Sequence, residues 1–178
     1  ICPTWTLLAN VIDWGDRFGV PPALIDEFKR ELEVGVKVLR RAHEAGVRLM
    51  MGSEAGFAIT PYGHWHAREL ELFVRYLGMS PMEAILTATK YNTLALRNGS
   101  EVGTLEGGKL ADVLVVDGDP LREIRILQDR SRLAVIIQGG AIVNTDRPWP
   151  ERRVWPYERV MTLGGLMTQE AVNRPKKG

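Results

Sequence analysis

The chain has 178 residues, 45% apolar and 25% charged, with 23 basic against 22 acidic side chains, the profile of an ordinary globular protein. A net charge of +1 gives no footprint for nucleic acid, and the apolar runs fall short of the roughly 18 residues that a membrane helix needs. Cys2 is the only cysteine, which excludes an internal disulfide framework and a thiolate metal cluster and fits a reducing, cytoplasmic setting.

Ile1 opens the chain without a methionine or a signal pattern, so the expectation is a piece of something longer. Residues 1–10 are apolar and β-tolerant, with Pro3 near the start, and predict a short strand ending near residues 4–8. After the Pro21-Pro22 pair, Ile25, Phe28, Leu32, Val36 and Leu39 recur at steps of three and four, the spacing of one helical face. Gly46 stops that helix, as a left-handed C-terminal glycine does. Residues 47–51 are apolar except for Arg48 and read as a strand of a parallel sheet covered on both faces. The turn Gly52-Ser53-Glu54-Ala55-Gly56 follows. A second helix is predicted over 66–77, with Leu70, Phe73, Val74 and Leu77 on one side and Gly78 closing it. Ser80-Pro81-Met82-Glu83 combines an N-cap, a first-turn proline and a capping glutamate, and starts a third helix predicted to reach about residue 96. The composition changes at Asn98-Gly99. Short runs over 110–116, 133–137 and 141–143, with Gly139-Gly140 as a hairpin turn, predict a small β unit. Residues 147–178 carry Pro148, Trp149, Pro150, Trp155, Pro156 and Tyr157, and predict an irregular segment ending in a frayed polar tail.

Glu54 stands out chemically. It sits at the C-terminal end of a predicted strand, between glycines that let a ligand approach, where parallel α/β folds place their chemistry. There a carboxylate can bind a metal or take a proton, and the alternative is a solvated loop glutamate. In His64-Trp65-His66 both imidazoles of an extended chain would face one way and could share a metal. The chain has only 3 histidines, so neutral imidazoles lining a pocket, or one of them capping the next helix, fit better than a two-histidine site. Gly103-Thr104-Leu105-Glu106-Gly107-Gly108-Lys109-Leu110 nearly spells a phosphate loop. However, Leu110 replaces the hydroxyl residue and a β run follows where a helix should start, so a tight turn is expected. Asp112 and Asp117 are expected to cap turns, and the basic end Arg174-Pro175-Lys176-Lys177 to be solvated.

In order and spacing, several stretches resemble the C-terminal portion of the amidohydrolase superfamily, in its imidazolonepropionase-like branch. They are Ala45-Gly46-Val47, Met51-Gly52-Ser53-Glu54-Ala55-Gly56, Ala67-Arg68-Glu69-Leu70, Gly78-Met79-Ser80-Pro81-Met82-Glu83-Ala84 with Ala88-Thr89, and Val102-Gly103-Thr104-Leu105-Glu106-Gly107-Gly108-Lys109-Leu110-Ala111-Asp112, continued by Asp119-Pro120 and Gly139-Gly140. The run Thr60-Pro61-Tyr62-Gly63 with Trp65-His66-Ala67-Arg68-Glu69 further resembles the phenylurea hydrolases of that branch. The resemblance implies an α/β fold: the last two strands and helices of a (β/α)8 TIM barrel over residues 1–98, part of a small β-sandwich over 99–146, and an irregular end over 147–178. It implies one or two divalent metals, usually zinc, whose bound hydroxide attacks an amide, urea or cyclic amide of a small-molecule substrate. Glu54 takes the place of the family's carboxylate after the eighth strand, a metal ligand and general base, and Tyr62, His64 and His66 fall on the substrate side.

Two departures accompany the resemblance. The family residue at that place is usually aspartate, and glutamate adds roughly 1.5 Å of reach. The family's His-x-His of the first strand, its bridging lysine and the histidines of its fifth and sixth strands have no counterpart here. A barrel of this kind takes about 250 residues, so the expectation is a portion inactive alone, completed by missing N-terminal sequence. The alternative is a non-catalytic subunit that completes a barrel with a separate chain. Either way, open strand edges predict association, including homo-oligomers.

Overall fold

The computed structural model describes residues 1–146 and 165–175. Residues 1–3 lie beside residues 48–51. Ile1 N donates to Arg48 O at 3.1 Å and Met50 N donates to Ile1 O at 2.8 Å, the bonding pattern of parallel strands. The next residue in that register is Pro3, which has no N–H to continue the ladder. The pairing therefore stays at one residue, and residues 47–51, expected as a strand, form no regular ladder. Their other edge is held by the segment after residue 86. Met51 N donates both to Thr87 O at 3.1 Å and to Asn92 Oδ1 at 3.0 Å, and Asn92 Nδ2 donates to Met51 O at 2.9 Å.

The strand expected to run from the start to residues 4–8 stops at Thr4, and a helix follows, α1 (Thr6–Trp14). Thr4 turns the chain with φ of 57°, and the helix buries Thr6, Leu7, Ala9, Asn10 and Val11. A helix apolar around so much of its surface is a buried one, and a short apolar run of this sort does not by itself distinguish helix from strand. Next comes α2 (Pro22–Glu44), with proline at its first position as expected. Its end is a Schellman motif: Gly46, at φ of 79°, donates to His43 O at 2.9 Å, and Val47 N donates to Ala42 O at 2.9 Å. Leu32 and Leu39 are buried against the rest of the fold, whereas Val34 and Val38 are 61% and 58% exposed on the same helix.

The second predicted helix begins two residues late as α3 (Arg68–Leu72) and continues as a π turn over Phe73–Leu77, closed by Gly78. The capping box of α4 (Pro81–Ala88) forms as the sequence predicts. Glu83 N donates to Ser80 Oγ at 3.2 Å, and Ser80 N donates to Glu83 Oε2 at 2.7 Å. This helix ends at Ala88, short of residue 96. Thr87 and Thr89 turn their hydroxyls onto the carbonyls of Ala84 and Ile85, and Asn92 is recruited to Met51, so side-chain bonding replaces the helical ladder.

Beyond residue 98 the chain forms a three-stranded antiparallel sheet, ordered β1 (Val113–Val116), β2 (Leu133–Gln138), β3 (Ala141–Ile142). Gly139 and Gly140 make the hairpin turn, at φ of 56° and 83°. Asp112 Oδ1 caps that turn by accepting from Gly139 N at 2.7 Å, and Asp117 pairs with Arg132 at 3.8 Å. The phosphate-loop lookalike is a turn, with Leu110 N donating to Glu101 O at 2.8 Å. Of the C-terminal segment, the aromatics Trp149, Trp155 and Tyr157 lie outside the described residues. Residues 165–175, expected to be irregular, hold a short helix, α5 (Gln169–Asn173). Arg17 anchors it by donating to Val172 O at 2.5 Å and Arg174 O at 2.6 Å.

Two apolar clusters share α1. One gathers Trp5, Leu32, Leu39, Leu49, Leu70, Phe73 and Ile124, and the other Val11, Phe18, Val20, Ile59, Trp65, Met167 and Val172. Between them the fully buried Glu69 of α3 closes the start of α1. Its Oε1 accepts from Trp5 N at 2.8 Å, and its Oε2 accepts from Thr6 N at 2.8 Å and from the Thr6 hydroxyl at 2.7 Å. These are orphan amides of a helix N-terminus. Burial pushes the Glu69 carboxyl up from 4.5 to about 7, against the Thr6 and Trp5 hydrogen bonds and the Arg68 charge that favour the anion. A carboxyl raised on folding stabilises most below its unfolded value, and that share is lost as pH rises through the folded one. We expect Glu69→Ala to cost about 3 kcal/mol in urea unfolding at pH 5, from buried amides left unpaired. The difference from wild type should be smaller at pH 8.

Candidate functional site

The loop from Gly52 to His66 leaves the C-terminal end of the extended segment 47–51, the end of a parallel strand where ligands bind. Its floor is fixed from two elements, α1 and residues 165–175. Asn10 Nδ2 of α1 donates to Ile59 O at 2.9 Å, Met167 N donates to Ala58 O at 2.8 Å, and Trp65 Nε1 donates to Met167 O at 2.6 Å. Trp65 stacks on Trp14 with ring centroids 5.0 Å apart, and the Arg68 guanidinium lies 4.3 Å from the centre of the Trp14 ring. Arg68 is itself buried and salt-bridged to Asp13.

On this floor Glu54 projects its carboxylate into solvent from a left-handed backbone, φ 49°. For a residue other than glycine that conformation costs about 1–3 kcal/mol. Neighbours hold it there: buried Thr60 donates its hydroxyl to Glu54 O at 2.9 Å, and Gly56 N donates to Thr60 O at 2.9 Å. Gly56 has φ of 139°, and a Cβ there would stand 3.1 Å from the Tyr62 hydroxyl, so only glycine lets Tyr62 lie across the turn.

The two histidines part company. The His64 ring is largely buried, with Nδ1 3.7 Å from the Glu170 carboxylate. His66 turns to its own loop, with Nδ1 2.9 Å from Ser53 Oγ and Nε2 accepting from Gly63 N at 3.0 Å. Burial and the nearby Arg130 charge lower the His66 pKa, favouring the neutral ring. Arg130 also donates to Gly63 O. The pair therefore does not face one way as an extended His-x-His would, and residues 61–67 form turns instead. Among the described residues no group of three or more His, Cys, Asp or Glu side chains is placed to hold a metal ion. No helix among them is long and apolar enough to cross a membrane.

The sequence picked out Glu54, Tyr62, His64 and His66, and all four lie on or at the rim of this loop. It did not single out Thr60 or Arg130 as loop supports. Thr60 lay within the phenylurea-like run, whereas Arg130 comes from 67 residues away with no local signal. Replacing Thr60 by valine keeps the shape and removes the hydroxyl. We expect Thr60→Val to cost about 1 kcal/mol in urea unfolding and to raise amide exchange at Gly56.

Comparison with known proteins bears on what this loop does. A model of the amidohydrolase family matches residues 9–142. Ochratoxinase of Aspergillus niger is 30% identical over 125 residues, 68% of this chain and 25% of its own length. A prolidase-like protein of Bifidobacterium longum superposes with a TM-score of 0.71 at 35% identity, over 85% of this chain and 36% of its own. Phenylurea hydrolase B superposes with a TM-score of 0.52 at 28% identity, over 59% of this chain and 26% of its own. The chain thus spans about a quarter to a third of the length of these relatives.

Proposed function

Because the chain belongs to the amidohydrolase family, we propose that it is the C-terminal portion of a hydrolase that cleaves a carbon–nitrogen bond in a small molecule. The observation that carries this reading is Glu54: an exposed carboxylate on a left-handed backbone, held by Thr60, at the C-terminal end of a parallel-paired segment. In this reading residues 1–3 and 47–51 are two neighbouring strands of a (β/α)8 barrel, with α2 as the crossover between them. The exposed Val34 and Val38 of α2 then face the preceding part of the barrel, and the small sheet completes a β-sandwich.

Family members generally use divalent metals, with zinc the proposed ion here. The described residues do not make a metal site by themselves, so any such ion takes most of its ligands from sequence outside this chain. Within the chain Glu54 supplies the proton chemistry: its carboxylate accepts a proton from the attacking water and returns it to the leaving nitrogen. Tyr62, across the turn from Gly56, and His64 are the side chains proposed to face substrate. The phenylurea hydrolase likeness supports a non-peptide bond, and the prolidase likeness is the reason to assay a proline dipeptide beside a phenylurea. The exposed Val34 and Val38 of α2 and Ile142 of β3 are compatible with one second reading, a non-catalytic piece that completes a separate chain.

The deciding variant is Glu54→Gln in the full-length protein, which keeps size and loop but removes the base. We expect kcat on the preferred amide or urea to fall by about 100-fold or more, with thermal stability within a degree or two of wild type. Unchanged turnover and metal content would overturn the assignment.

A further inference from the structure

His66 has both ring nitrogens committed inside its own loop. Nε2 accepts the Gly63 amide proton at 3.0 Å, so Nε2 carries no hydrogen, and the single proton of the neutral ring sits on Nδ1. At 2.9 Å from Ser53 Oγ, that Nδ1–H donates to the serine hydroxyl. An imidazole so engaged has no nitrogen left for a substrate or a metal. We propose, resting on the reading of Glu54 as the base, that His66 is a positioning residue: its Nδ1–H tautomer ties Gly63 to Ser53 and fixes the backbone from which Glu54 projects.

The reasons lie in the loop's construction. Ser53 directly precedes the left-handed Glu54, and its side chain is buried. Thr60 restrains Glu54 from its carbonyl side, and the His66 link restrains it from its amide side, so the strained residue is held on both flanks. Arg130, donating to Gly63 O, holds the far end of the link, so Gly63 is fixed through both its amide and its carbonyl. The arrangement selects one tautomer. The opposite one would set an N–H against the Gly63 N–H and leave that amide unpaired.

The test uses the full-length protein with two variants, His66→Phe, which keeps a ring but removes both bonds, and His66→Gln, whose carboxamide can accept from Gly63. Histidine 15N spectra of wild type should show the Nδ1–H tautomer for His66. In His66→Phe the Gly63 amide should exchange about 10-fold faster or more, the loss of one hydrogen bond, and kcat should fall about 10-fold with KM little changed. His66→Gln should restore protection to within a few-fold of wild type. A spectrum showing Nε2–H overturns the proposal, even if the phenylalanine variant does not fold. So does a His66→Phe variant with unchanged exchange at Gly63 and a raised KM, which would make His66 a substrate contact. The spectra and exchange are read without substrate, so they judge the link even where Glu54→Gln shows that Glu54 is not the base.

Discussion

The buried carboxylate of Glu69 is the interaction on which the rest of the structure rests. It reaches from α3 to the first amides of α1, 63 and 64 residues away in sequence, and supplies acceptors to both. A helix start buried without such partners would strand its amide protons away from water. Supplying those acceptors from a distant carboxyl group closes the start of the helix and fixes where α1 lies against α3. The cost is desolvation, which the raised pKa of Glu69 records. The gain is tertiary: α1 is placed by a contact that exists only when both helices are in position.

The residue before it holds the other end of α1. Arg68 salt-bridges Asp13, near the C-terminus of α1, and lies against Trp14. Two consecutive residues of α3 thus hold the two ends of one helix, carboxyl oxygens accepting its first amides at the start and a guanidinium at the finish, where the helix dipole favours a cation. With α1 set, Asn10 reaches Ile59, and the Trp14–Trp65 stack carries the constraint on to Met167. The loop bearing Glu54 stands on that chain of contacts, so its geometry follows from the packing of α1 together with the bonds of the loop's own Ser53, Thr60 and His66.

This division explains what could be read from sequence. Local signals were legible wherever the physics is local: the Ser80 to Glu83 capping box, the Gly46 helix stop, the Gly139-Gly140 hairpin and the apolar face of α2 are all found as expected. The misreading of residues 4–8 has the opposite cause. Thr6 to Val11 is apolar and β-tolerant, and the cap that makes it a helix comes from Glu69, which no local pattern connects to it. The end of α4 fails for the same reason, since Asn92 leaves the helical path to bond Met51. At the site, the position of Glu54 was legible from the strand and glycine pattern. Its left-handed backbone and the Thr60, Arg130 and His66 contacts were not, because they depend on how the turn closes.

The chain is uneven in how far it satisfies itself. The loop at residues 52–66 is closed by contacts from α1, residues 165–175 and Arg130. The surfaces away from it are different. Val34 and Val38 lie exposed on α2, Leu114 and Val115 on β1, and Ile142 is 76% exposed on β3. Among the described residues both β1 and β3 are edge strands. Apolar area of this kind on a helix and on a sheet with two open edges is what further polypeptide covers, and the chain matches only about a third of its structural neighbours' length. The fold therefore builds the carboxylate loop from contacts within the described residues and leaves apolar faces of α2 and the small sheet exposed.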